Sequence, residues 1–185
     1  MNELVWYGDT REWESPRVPE DLRLLPGAAE AAAALVAAGW PLFLVSNQPS
    51  FAKGKTTLEA LKAVHVRLQE ELARAGGFLE EAYYCYHHPQ GKVPGYAGPC
   101  PCRKPSPHFL LEAARAHRLD LGRSWMVGDQ DLDLRCGRAA GCRTILLPCE
   151  ASRHKRGLEV PDLTCDGLAW ILPQIGRPFP PGVLE

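Results

Sequence analysis

Cys85-Tyr86-His87 is followed, after twelve intervening residues, by Cys100-Pro101-Cys102. Three thiolates and one imidazole, arriving as two close pairs, form the donor set of a tetrahedral zinc site. Soft sulfur donors exclude Mg²⁺ and Ca²⁺ from it. Gly91, Pro94, Gly95, Gly98 and Pro99 let the intervening loop fold back on itself. With four protein ligands no coordination position stays open for water, so the ion is expected to be structural, stapling a polar loop. His88 competes with His87 for the fourth position. The Cys-x-His arm mirrors the Cys-x-Cys arm and favours His87.

Arg103-Lys104-Pro105 follows the last ligand directly. A guanidinium fork and an ammonium point charge suit an oxyanion. The helix that opens at Pro105-Ser106-Pro107 adds positive potential at its N-terminus. Elsewhere Gly128-Asp129-Gln130-Asp131-Leu132-Asp133 ends an apolar run. Asp129 and Asp133 stand one helical turn apart on one side, a placement that suits Mg²⁺ held jointly with phosphate and water. Asp131 reads as a helix cap. A second apolar run ends in Ser46-Asn47-Gln48, whose hydroxyl, amide and backbone N–H groups can hold a phosphoryl group. Singly, these are a solvated cation pair, a capped helix and a polar turn. Together they predict a site for a small phosphorylated metabolite.

The elements that must position these residues alternate between short apolar runs and amphipathic stretches, which predicts an α/β fold with a mostly parallel sheet. Helices are expected over Pro26–Gly39, Thr57–Ala75, Pro107–His117 and Asp131–Ala140, with a last one over Asp166–Ile175 bent or broken at Pro173. Phe109, Leu110 and Ala113 are expected to be the buried face of the third. Strands are expected over Pro41–Val45, Glu81–Tyr86, Ser124–Val127 and Thr144–Leu147. In open α/β sheets the site lies outside the carboxyl ends of the strands, where Ser46-Asn47-Gln48 and Gly128-Asp129 both fall.

The chain has 185 residues, 21 Lys+Arg against 22 Asp+Glu, and a formal charge of −1. That length suits one domain, expected over residues 1–176, with a Pro-rich irregular tail over 177–185. The balanced charge gives no case for nucleic acid, and no apolar run approaches the ~20 residues that span a bilayer. Seven cysteines, an odd number, without an export signal at the start predict reduced thiols in a cytoplasmic protein. Cys136, Cys142, Cys149 and Cys165 are expected to be small core residues.

These motifs resemble the haloacid dehalogenase (HAD) superfamily, in its small zinc-bearing branch of heptose bisphosphate and histidinol phosphatases. The likeness runs from about Pro26 to Leu147. Ser46-Asn47-Gln48 resembles the second motif, the zinc loop leading into Arg103-Lys104-Pro105 the third, and Val127-Gly128-Asp129-x-x-x-Asp133 the fourth. The resemblance implies a three-layer, Rossmann-like HAD fold and an Asp nucleophile that forms an aspartyl-phosphate, with a second Asp as general acid/base and Mg²⁺ as cofactor. It further implies that Ser46 holds the phosphoryl oxygen, with Asn47 and Gln48 beside it. Lys104 stabilises charge, Arg103 recognises substrate, Asp129 binds Mg²⁺ and Asp133 supports it. Gln130 stands where the heptose enzymes often have Lys.

The first motif, an apolar strand followed by Asp-x-Asp-Gly-Thr, is absent from these residues. In one reading Leu4-Val5-Trp6 is the strand, Tyr7 replaces the nucleophile and Asp9 keeps the second acid, so that Leu4–Tyr7 fills the central position of the sheet. In the favoured reading Met1-Asn2 resembles the Leu-Asn that follows Asp-Gly-Thr in family members, with Ser15-Pro16-Arg17 and Leu24-Leu25-Pro26-Gly27 following in order. The central strand is then missing, and its neighbours are left as unpaired edges open to self-association.

The function expected is that of a Mg²⁺-dependent, zinc-stapled phosphomonoesterase acting on a sugar phosphate, inactive as this chain stands because the nucleophile motif is absent. The alternatives are a phosphate-binding module or pseudoenzyme, a zinc-stabilised interaction domain, and a phosphatase for histidinol phosphate or a nucleic-acid 3′-phosphate.

Overall fold

A computed structural model describes residues 1–178. The first structured unit is an antiparallel hairpin of β1 (Val5–Tyr7) and β2 (Glu12–Glu14), with Trp6 paired opposite Trp13. Leu4–Tyr7 therefore does not fill the centre of the main sheet. Its partner is local, because two short strands joined by a tight turn pair at far lower loop-closure cost than a strand inserted between distant elements.

The remainder is βα in character. Helix α1 (Ala28–Ala37) is an alanine-rich run entered through Gly27, whose φ of 72° is a left-handed conformation that glycine adopts without penalty. β3 (Phe43–Asn47) leads to α2 (Leu58–Arg74), which the Thr57 hydroxyl caps by accepting the Ala60 N–H. β4 (Glu81–Cys85) runs into the Cys/His loop, and α3 (His108–His117) leaves it. Then come β5 (Trp125–Gly128), α4 (Asp131–Ala140), β6 (Arg143–Leu146), the two-residue β7 (Leu163–Thr164) and α5 (Ile171–Ile175).

β3 pairs in parallel with β4, and β5 with β6 and β7, but the two sets are separate sheets. The expected gap at the centre is present. Two apolar clusters hold the halves. Ala32, Val64, Leu68, Leu72 and Leu79 pack α1 and α2 on the β3 side. Leu35, Ile145, Cys165 and Ile171 pack α1 and α5 under the β5 side. Helix α1 serves both clusters, and α3 packs on α4 as the second helical layer. Leu72, Leu134 and Ile145 are fully buried, each stabilising the fold by roughly 1.5–3 kcal/mol.

The expected elements are all present, with shifted ends. The strand at Pro41 begins at Phe43 and extends through Asn47. The last helix is not broken at Pro173. A 3-10 turn over Leu168–Trp170 precedes α5, so Pro173 falls in its first turn, where a missing N–H costs little. On α3 only Ala113 is fully buried, while Phe109 and Leu110 are half-buried. Cys136, Cys142 and Cys165 are buried core thiols, whereas Cys149 is only partly buried. Of the expected tail, 179–185 lie outside the described residues.

Candidate anion and metal site

β4 ends on Cys85, 1% exposed, and so delivers the first sulfur at the carboxyl end of the sheet. The loop returns Cys100 and Cys102 to it. Cys85, His87, Cys100 and Cys102 place one ligand atom each within 4.8 Å of all the others. The sulfurs are 3.6, 3.3 and 3.6 Å apart, and His87 Nδ1 is 3.8 Å from Cys102 Sγ. Zn–S bonds of ~2.3 Å give a tetrahedron with edges of about 3.8 Å, so this donor set fits zinc. Burial, followed by the contact with Cys102, pushes the Cys85 thiol up to about 12. Three sulfurs this close become thiolates together only around a cation. His88 lies outside the cluster, with its Nδ1 accepting the Gln90 N–H.

The cluster fixes the two cations next to it in the chain. Arg103 Nη1 donates to the His87 carbonyl at 3.1 Å. Asn47, at the end of β3, clasps the Lys104 backbone by accepting its N–H at 3.0 Å and donating to its carbonyl at 3.3 Å. The Lys104 ammonium donates to the Val45 carbonyl at 2.7 Å and lies 2.7 Å from Asp133 Oδ1. The other Asp133 oxygen accepts the Asp129 and Gln130 N–H groups at 3.2 and 3.1 Å. Both side chains of this pair are nearly buried. Residue 128 must be glycine for this approach, since a Cβ there would stand 2.2 Å from that of Asp133.

Ser46, Asn47, Gln48, Arg103, Lys104, Asp129 and Asp133 all line one cavity between the half-sheets, of about 1650 Å³. Ser46 Oγ accepts a long 3.5 Å hydrogen bond from Gln48 Nε2, and Gln48 Oε1 is buried without a partner. The Asp129 carboxylate makes no hydrogen bond or ion pair among the described residues. It is a hard oxygen donor in the lining of the cavity that Arg103 and Lys104 share, which fits Mg²⁺ held jointly with a phosphate. Asp133 differs, because Lys104 and two N–H groups already engage its oxygens.

Two expected residues behave otherwise. Asp9 does not line the cavity. Its exposed carboxylate pairs with Arg17 Nη1 at 2.8 Å, in a network where Arg17 also meets Glu14 and Glu14 meets Lys55. Asp131 caps no helix N–H. It instead accepts the Gly157, Leu158 and Glu159 N–H groups, pinning a distant loop. Lys53 also lines the cavity, and neither motif nor spacing singled it out; Met1, noted in the sequence only for the likeness of Met1-Asn2 to a family Leu-Asn, lines it too. The Met1 amine is buried, which lowers its pKa, while the charges of Asp129 and Asp133 act the other way.

The family model described as HAD-hydrolase-like matches residues 101–171. The chain is 45% identical over 132 residues to the D-glycero-D-manno-heptose-1,7-bisphosphate 7-phosphatase of Thermosynechococcus vestitus, covering 69% of this chain and 67% of that protein. It is 31% identical over 160 residues to the Bordetella bronchiseptica D-glycero-beta-D-manno-heptose-1,7-bisphosphate 7-phosphatase, covering 85% and 86%. The crystal structure of the heptose bisphosphate phosphatase from B. bronchiseptica with magnesium and phosphate superposes with a TM-score of 0.76 at 30% identity, over 89% of this chain and 91% of that one.

Proposed function

Since this chain belongs to the heptose-1,7-bisphosphate 7-phosphatase family of HAD-like hydrolases, we propose that its site binds the phosphoryl group of a sugar phosphate in the manner of a Mg²⁺-dependent phosphomonoesterase. The observation that carries this reading is the placement of the Lys104 ammonium between Val45 and Asp133, in a cavity that Ser46 and the open carboxylate residue Asp129 also line. In this reading Ser46 and the amide groups of Asn47 and Gln48 hold phosphoryl oxygens. Lys104 neutralises their charge, and Arg103 selects the rest of the substrate. Asp129 is the residue that would hold Mg²⁺, which supplies charge neutralisation at the phosphoryl group. Asp133 is assigned as the positioning acid for Lys104, besides any support it lends the ion.

Turnover needs a nucleophile. Asp9 is drawn out to Arg17, and no Asp-x-Asp occurs at a strand end before Ser46. We therefore assign these 185 residues binding without hydrolysis. The seven free thiols accord with a cytoplasmic setting, and the unpaired strand edges with self-association. No helix among the described residues is long and apolar enough to cross a membrane.

Titration calorimetry with inorganic phosphate tests the site, and release of phosphate from heptose 1,7-bisphosphate tests turnover. The expected result is phosphate binding that Lys104→Ala abolishes, with no release above background. Absence of binding overturns the site, and release that depends on Lys104 overturns the assignment of binding alone.

A further inference from the structure

The β1–β2 hairpin is fastened by one face and open on the other. Side chains alternate across a strand, so Val5, Tyr7, Glu12 and Glu14 share one face, and the paired Trp6 and Trp13 share the opposite one. The fastened face is held by Arg17, whose guanidinium lies 3.8 Å from the centre of the Tyr7 ring and 3.0 Å from Glu14 Oε2. The Arg17 N–H donates to the Tyr7 hydroxyl at 2.9 Å, and that hydroxyl donates to Asp21. The loop after β3 completes the anchorage. Lys55 Nζ lies 2.6 Å from Glu14 Oε1, and the Thr56 hydroxyl donates to the Arg17 carbonyl at 2.7 Å. That loop follows Ser46 and Asn47 directly, so the hairpin is tied to the segment that carries two of the anion-site residues.

The open face is the two tryptophans, both exposed, with ring centroids 5.7 Å apart and planes at 61°. An edge-to-face pair of this kind buries little of its own apolar area and so stabilises the fold little. Both rings line the cavity that Ser46, Arg103 and Lys104 also line, as do Arg11 and Glu12 at the hairpin turn. Small-molecule sites join apolar or aromatic walls to a few fixed polar groups. Here the groups for an oxyanion and an aromatic wall belong to one cavity, on segments locked together through Glu14, Lys55 and Arg17. Charged groups at the turn suit hydroxyls. Rings that meet at an angle form a notch for a puckered carbon skeleton, whereas a flat ligand is gripped between parallel rings.

We propose that Trp6 and Trp13 are specificity determinants of this site: they hold the carbon skeleton of a phosphorylated sugar, whose C–H face stacks on the indoles while its hydroxyls reach Arg11 and Glu12. The assignment rests on the sugar-phosphate reading above and deepens it, by naming what holds the part of the ligand that Lys104 does not.

Calorimetric titration with inorganic phosphate and with heptose 1,7-bisphosphate tests it, on the parent chain, on Trp6→Ala/Trp13→Ala and on Trp6→Phe/Trp13→Phe. The parent chain is expected to prefer the sugar phosphate by about tenfold or more, and the double alanine variant to bring the two ligands within about twofold of each other. Inorganic phosphate affinity should stay unchanged in both variants, and the double phenylalanine variant should keep most of the preference. Indole emission of the parent chain should respond to the sugar phosphate and not to inorganic phosphate, a difference that the double alanine variant loses. A preference kept by the double alanine variant, with inorganic phosphate still bound, overturns the proposal alone. Failure of the parent chain to bind either ligand overturns the phosphate reading, and the proposal with it. Loss of inorganic phosphate binding in the double alanine variant overturns the proposal by making the hairpin a support of the anion site. So does a parent dimer that the alanine substitutions convert to monomer, which makes a second copy the occupant of the tryptophan face.

Discussion

Lys104 Nζ lies 2.7 Å from Asp133 Oδ1, and the same carboxylate's second oxygen accepts the N–H groups of Asp129 and Gln130. One acid thus orients the ammonium of the zinc loop and the turn that carries the open carboxylate of residue 129. Since both partners are nearly buried, removing the cation strands a charge. Lys104→Met is expected to lower stability by about 3 kcal/mol as well as to abolish phosphate binding. Urea unfolding separates the two effects, because Lys104→Met with Asp133→Asn, whose amide oxygen can still accept the Asp129 and Gln130 N–H groups, should recover much of the stability and none of the binding.

Stripping zinc is expected to weaken phosphate binding although Cys85, His87, Cys100 and Cys102 do not line the cavity. The coupling runs through His87, whose carbonyl holds Arg103. Chelation followed by calorimetry should show at least a tenfold weaker phosphate affinity and a lower Tm, with both restored by stoichiometric zinc. Arg103→Ala should remove most of the zinc dependence of binding while leaving that of Tm.

Gly128→Ala is expected to cost about 1–3 kcal/mol, because the new methyl group would meet Asp133 at 2.2 Å. The displaced acid can no longer hold Lys104, so phosphate affinity should fall with stability. Gly122→Ala, whose nearest atom is 3.3 Å away on the flexible Asp120 side chain, is the control expected to leave binding unchanged.

Asp131 sets an acid dependence. Burial alone would raise its pKa, but the N–H groups of Leu158, Gly157 and Glu159 outweigh burial, and the net shift is downward. A carboxyl group with a depressed folded-state pKa stabilises fully above its unfolded value of about 4 and loses that contribution as pH falls through the folded value. Thermal unfolding should therefore show Asp131→Asn well below the parent chain at pH 7, with the difference shrinking below pH ~4.

The residues that converge on the cavity and the Cys/His cluster were readable where chemistry restricts residue types. The Cys/His pairs, Arg103-Lys104, Ser46-Asn47-Gln48 and Asp129 were legible because sulfur, cation and carboxylate at strand ends admit few uses. Packing against distant backbone was not legible. Nothing local distinguishes Asp131, which holds the loop at 157–159, from a cap, and nothing near Asp9 announces Arg17. The β1–β2 hairpin was hidden because its tryptophans face outward, with Trp6 51% and Trp13 43% exposed, and a three-residue strand offers too short a period to read. β7, with two residues, is shorter still.

Asn47, Val45 and Asp133 belong to different halves of the molecule, and Lys104 grips all three. The ammonium proposed to meet an anion is therefore also a cross-tie between two slabs that, among the described residues, share no strand-to-strand bond at their boundary. An anion that drew the ammonium towards itself would slacken that tie, so ligand capture and the mechanical coherence of the two slabs compete for one positive charge.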